Sequence, residues 1–83
     1  MALYKLKIDV KFKPGVLDPQ GETIKNALLN LNYSGVQSVQ TGKVFRVKVE
    51  AGSSQKAVGL AKEMADKLLA NPVIEEFAVE IEK

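Results

Sequence analysis

The feature that most constrains this chain's fold is the run from Tyr4 to Lys13. Tyr4, Leu6, Ile8, Val10 and Phe12 alternate with Lys5, Lys7, Asp9, Lys11 and Lys13. Strict period two over ten residues describes a strand with one buried and one wet face, because successive strand side chains point to opposite sides. Wound as a helix, the same residues would scatter their apolar groups around the whole circumference. Pro14-Gly15 ends the run, proline setting one turn dihedral and glycine accepting a positive φ. A strand with a single apolar face must be covered by another layer.

The following segments supply that layer. Asp18 suits a helix N-cap, and Pro19 suits the first helical position, where no N–H donor is needed. Ile24, Ala27, Leu28 and Leu31 then recur at helical spacing, and Asn32 is a plausible left-handed terminator. Val36 to Thr41 reads as a short strand and Thr41-Gly42 as a tight turn. Phe45, Val47 and Val49 alternate with Val44, Arg46, Lys48 and Glu50 as the second arm of that hairpin. Gly52-Ser53-Ser54 caps a second helix, whose apolar face is Ala57, Leu60, Ala61, Met64, Ala65 and Leu68 and which ends at Asn71-Pro72. Phe77, Val79 and Ile81 alternate with Ala78, Glu80 and Glu82 in a last strand.

The order β-α-β-β-α-β predicts an α+β two-layer sandwich. It has a four-stranded antiparallel sheet with both helices on one face, ferredoxin-like or related to it. The commonest form of this order places the last strand beside the first, and charge supports it: the lysines of the first strand's outer face oppose Glu75, Glu76, Glu80 and Glu82, the alternative being that these strands pair with another subunit. No linker or low-complexity stretch interrupts the chain, so residues 1–83 form one domain.

Composition removes most chemistries. The sequence has no histidine and no cysteine, hence no imidazole base, thiol nucleophile or sulfur-ligated metal. Ser53-Ser54 beside Lys56 is explained by a helix cap. Glu75 and Glu76, as strand neighbours, point to opposite faces and do not converge on a substrate. Gly15 and Gly21 precede a helix but lack the spacing of a phosphate-binding loop. Arg46 is the only arginine among 12 basic residues, and the aromatics fall mainly at core positions, which argues against nucleic acid. No apolar run nears the roughly 18 residues of a membrane span. Met1 to Val10 interleaves lysines with apolar residues instead of forming a signal-peptide core, so a cytoplasmic protein is expected. A small domain without disulfides or metals commonly gains support from self-association. What remains is a binding module: one that docks protein partners, or a stand-alone ferredoxin-like domain that regulates an enzyme by binding a small effector.

Several strings carry a resemblance. Gly15-Val16-Leu17-Asp18-Pro19-Gln20-Gly21, Ala27-Leu28, Leu31-Asn32-Tyr33, Thr41-Gly42-Lys43 and Leu68-Leu69-Ala70-Asn71-Pro72-Val73-Ile74-Glu75 closely resemble the PurS family. That family is the small subunit of phosphoribosylformylglycinamidine synthase. Asn32 stands where the family often has glycine, and Gln40 where it often has a basic residue. The resemblance implies a subunit of an ATP-dependent, glutamine-hydrolysing C–N ligase of purine biosynthesis. The complex turns formylglycinamide ribonucleotide, glutamine and ATP into formylglycinamidine ribonucleotide, glutamate, ADP and phosphate. ATP and magnesium are then used by the large synthetase subunit, with no cofactor, metal or catalytic residue on this chain. The implied partners are the synthetase, the glutaminase subunit and further copies of the chain, as a dimer or tetramer. The candidate docking residues are Val16, Leu17, Asp18, Gln20, Gly42 and Lys43. Leu17 has two readings, an apolar anchor for a partner or a hydrophobic staple at the helix start.

Overall fold

A computed structural model describes residues 1–82 of the chain. Strand β1 (Ala2–Phe12) is followed by helix α1 (Pro19–Asn30), strand β2 (Gly42–Ala51), helix α2 (Ser54–Met64), a π-helical turn (Ala65–Leu69) and strand β3 (Glu75–Glu82). The sheet is antiparallel in the order β2-β1-β3. The alternating opening strand takes the central place, and the last strand lies beside it as its charges imply. Ile8 faces Phe45 on one side and Val79 on the other, and Leu6 faces Val47 and Ile81. The inner face therefore collects the apolar residues of all three strands.

Leu6, Ile8 and Val10 are the largest fully buried side chains. Burial of each is worth about 1.5–3 kcal/mol. Across from them α2 presents Ala57 and Ala61, and the π turn continues with Ala65. Residues this small let the helix lie close to the sheet. Ser53 caps α2, its hydroxyl accepting the Lys56 N–H at 3.2 Å.

On the outer face Lys7 meets Glu80 at 3.4 Å and Lys11 meets Glu76 at 3.6 Å. These exposed pairs confirm the neighbour assignment but stabilise little, since solvent screens them. The β1–β2 side is less favourable: Lys5 lies opposite Lys48, and Lys7 opposite Arg46. Arg46 turns instead to Glu82, 3.4 Å away.

Three expectations need correction. The sheet has three strands, not four, because Val36–Thr41 forms no strand and Thr41-Gly42 is no hairpin turn. The chain runs straight through Thr41 into β2, held there by contacts to the start of α1 described below. Second, the two helices do not share one sheet face. Only α2 packs on the sheet, while α1 buries a single residue, Gly21. Third, Leu68 is not on the inward face of α2 but 84% exposed. The π turn, marked by the Ala70 N–H donating to the Ala65 carbonyl at 2.9 Å, adds a residue to the last turn. That rotation carries the inward position on to Leu69, which packs against the core.

Candidate docking site

The site is built at one end of the sheet, where β1 stops and β2 begins. After Phe12 the chain turns at Gly15, whose φ of +85° is left-handed. Val16 donates its N–H to the Lys13 carbonyl at 3.1 Å. Asp18 then caps α1 as its sequence context implies, accepting the Gly21 N–H at 2.9 Å. The same carboxylate also accepts the Thr41 N–H at 2.6 Å and the Thr41 hydroxyl at 2.9 Å. One side chain thus ties the start of α1 to the residue that leads into β2.

These bonds set the electrostatics. The Thr41 N–H first, and the Gly21 N–H second, hold the Asp18 carboxyl below its ordinary value of 3.8. Partial burial acts in the opposite direction and the Thr41 hydroxyl adds to the lowering. Donors that favour the ionised form outweigh desolvation here. The acid is engaged by its own fold and has no proton to exchange at neutral pH.

Gly21 completes the junction. A Cβ on this residue would collide with the Val39 carbonyl oxygen, so only glycine lets the returning chain come this close to the helix. From this root α1 leads outward to Asn32, which takes the left-handed conformation at φ 73° and reverses the chain. Residues 33–41 bring it back.

The structure brings most of the candidate docking residues together. Val16 and Asp18, with Gln40 and Thr41, line a shallow cleft of about 170 Å³. Gln20, Gly42 and Lys43 line the adjoining groove, with Ile74 and Glu75. Lys13 fastens the groove's far wall, its ammonium reaching the Pro72 carbonyl at 2.6 Å and its N–H the Ile74 carbonyl at 2.9 Å. Leu17 lines neither; it stands 69% exposed beside them. The staple reading fails for Leu17, because the helix position it would pack against is Glu22. Thr41 is the residue of this end that sequence reasoning missed. Its signal was weak: a threonine before glycine reads first as a turn residue, and its partner lies 23 residues away.

Among the described residues, no three acidic side chains gather where they could hold a metal ion. No helix among them is long and apolar enough to cross a membrane. At this end Asp18 and Lys13 are engaged in capping and clasping the fold, while Leu17 is exposed. Fold and site together define a small α+β module with a shallow cleft and groove at one end of its sheet.

Comparison with known proteins gives the family. The sequence profile of PurS, phosphoribosylformylglycinamidine (FGAM) synthase, matches residues 5–83. The chain is 43% identical over 81 residues to the phosphoribosylformylglycinamidine synthase subunit PurS of Bacillus subtilis, covering 98% of this chain and 95% of that one. It superposes on the crystal structure of Methanocaldococcus jannaschii PurS with a TM-score of 0.85 at 40% identity, over 96% of each chain. Against a chain in the structure of PurLQS from Thermotoga maritima the TM-score is 0.89 at 38% identity, over 99% of this chain and 100% of that one. The chain belongs to the PurS family and is a subunit of FGAM synthase, a ligase of purine biosynthesis.

Proposed function

We propose that this chain docks the glutaminase subunit of FGAM synthase to the large, ATP-dependent synthetase subunit, and so assists ammonia transfer between them. The observation that carries this reading is the full-length superposition on a chain of the PurLQS structure. The residues are compatible with it: the chain holds no histidine or cysteine, and the Asp18 carboxylate is committed to the fold by its bonds to Gly21 and Thr41. A subunit that does no chemistry contributes by holding others together. Ammonia is small and readily protonated, so two sites kept in one assembly transfer it at a higher effective concentration than separate sites would.

In this reading the chain works in the cytoplasm as a dimer or tetramer. ATP and magnesium act on the synthetase and no cofactor binds here. Val16, Leu17, Asp18, Gln20, Gly42 and Lys43 form or frame the docking end, with Leu17 as its apolar anchor. Reconstitution tests the reading. Synthetase and glutaminase subunits are assayed for amidine formation with glutamine or with ammonia, with and without this chain. Glutamine-dependent synthesis should require the chain and ammonia-dependent synthesis should not. Equal coupling of glutamine hydrolysis to synthesis in its absence would overturn the proposal.

A further inference from the structure

The loop between the π turn and β3 holds apolar side chains out in water. From Leu68 to Ile74 seven consecutive residues, Leu-Leu-Ala-Asn-Pro-Val-Ile, carry no charge. Leu69 packs against the core, but Leu68 is 84% exposed and Val73 79%. An unbroken helix would set Leu68 in line with the buried Ala61 and Ala65. The π turn swings it outward instead. Single π turns of this kind are rare and are found frequently at functional sites.

The loop that follows is not slack. Every backbone N–H from Ala70 to Glu75 has a partner within the chain, and Pro72 has none to satisfy. Asn71 donates to the Glu75 carboxylate at 2.7 Å, and Val73 to the Asn71 side-chain oxygen at 3.1 Å. Ile74 and Glu75 both donate to the Asn71 carbonyl, at 3.1 and 2.7 Å. From the end of β1, Lys13 donates to the Pro72 and Ile74 carbonyls. The donors of the loop are thus spent inside the fold, and what it offers outward is Leu68 and Val73. A surface already fixed in one conformation loses little freedom when a partner closes on it, which is how preorganisation raises affinity.

Two side chains are too little for a stable contact, which takes about 800 Å² from each partner. This loop, however, is continuous with the docking end. Asn71, Ile74 and Glu75 line the same groove as Gln20, Gly42 and Lys43. We propose that Leu68 and Val73 extend the docking end and seat in an uncharged, apolar pocket of the synthase subunit that meets it. The inference rests on the docking reading above and adds the chemistry of the opposing surface. A charged partner surface would lose its hydration against a stretch with no charge and no free N–H to replace it, at a cost in free energy. An apolar pocket gains from the same burial.

Leu68→Gln and Val73→Thr keep the size of each side chain and make its end polar. The parent chain and each variant are titrated with purified synthetase, with purified glutaminase and with both, at low and at high salt. Both variants should keep the circular dichroism spectrum and oligomeric mass of the parent. Each should bind the subunit that meets the docking end about tenfold more weakly. The loss should be the same at both salt concentrations, because an apolar contact is not screened. Leu68→Met, still apolar, should bind as the parent does. Should one variant misfold, the other decides. Parent-like affinity in a folded variant overturns the inference and leaves the docking reading standing, whereas a parent chain that binds neither subunit overturns both. A variant whose oligomeric mass falls also overturns it, since the side chain then serves contact between copies. A loss that vanishes at high salt does the same, since the opposing surface is then charged.

Discussion

Thr41 gives both its backbone N–H and its hydroxyl to the carboxylate of Asp18, at 2.6 and 2.9 Å, across 23 residues of intervening chain. Everything between the two, α1 and its return, is thereby closed into a loop with one fixed base. A docking surface at this end of the molecule has its geometry set by that pair, and so does the direction in which α1 leaves the sheet.

Because the folded Asp18 carboxyl titrates below its ordinary value of 3.8, its contribution to stability has a definite sign. It is fully present above the unfolded pKa and is lost as pH falls through the folded one. Urea unfolding of the chain should therefore give similar midpoints at pH 7 and 5 and a falling midpoint below pH 4. Asp18→Asn should lower the midpoint at pH 7 and flatten the decline in acid. Thr41→Val, which keeps the N–H but removes the hydroxyl, should have a smaller effect at pH 7. An unchanged acid profile in Asp18→Asn would show that the clasp does not form in solution.

Gly21→Ala should destabilise the chain in spite of alanine's better helix propensity. The added methyl collides with the Val39 carbonyl oxygen, and overpacking of this kind costs about 1–3 kcal/mol. Gly59→Ala, in α2 with nothing within 4 Å of the new Cβ, should stabilise instead by about 0.5–1 kcal/mol. Denaturant midpoints of the two variants should therefore move in opposite directions.

The π turn makes a prediction that an unbroken helix would reverse. Leu68→Ala should change stability by less than about 0.5 kcal/mol, as surface substitutions usually do, since Leu68 is 84% exposed. Leu69→Ala, which removes a side chain packed on the core, should cost clearly more. Ile8→Ala, at the fully buried centre of the sheet, should cost about 2–5 kcal/mol. A larger loss for Leu68→Ala than for Leu69→Ala would mean that the helix continues without the extra residue.

Leu17→Ser probes docking apart from folding. Leu17 is 69% exposed, so the variant should keep the circular dichroism spectrum, unfolding midpoint and oligomeric mass of the parent chain. In the reconstituted synthase it should lower glutamine-dependent synthesis several-fold while ammonia-dependent synthesis persists. Full glutamine-dependent activity with the variant would remove Leu17 from the docking surface.

The sequence by itself determined every element that local chemistry controls. The ten-residue alternation specified β1 and its buried face, and the opposed lysines and glutamates supported the place of β3 beside it. Asp18 and Pro19 marked the start of α1, Asn32 its end and Ser53 the start of α2. In each case the deciding interactions reach only a few residues along the chain, or repeat at the period of the element. The family was legible as well, because the string Gly15–Gly21 is specific and the resemblance runs over nearly the whole chain. Tertiary structure decided what depends on groups brought together from afar. The Asp18–Thr41 clasp and the Val39 carbonyl against Gly21 turned the expected hairpin strand into the base of an arm. They also carried α1, whose apolar spacing suits a place on the sheet, away from it. The spacing of Ile24, Leu28 and Leu31 specifies an apolar stripe and is silent on where it lies; only the direction of the helix, set at its root, keeps that stripe off its own sheet.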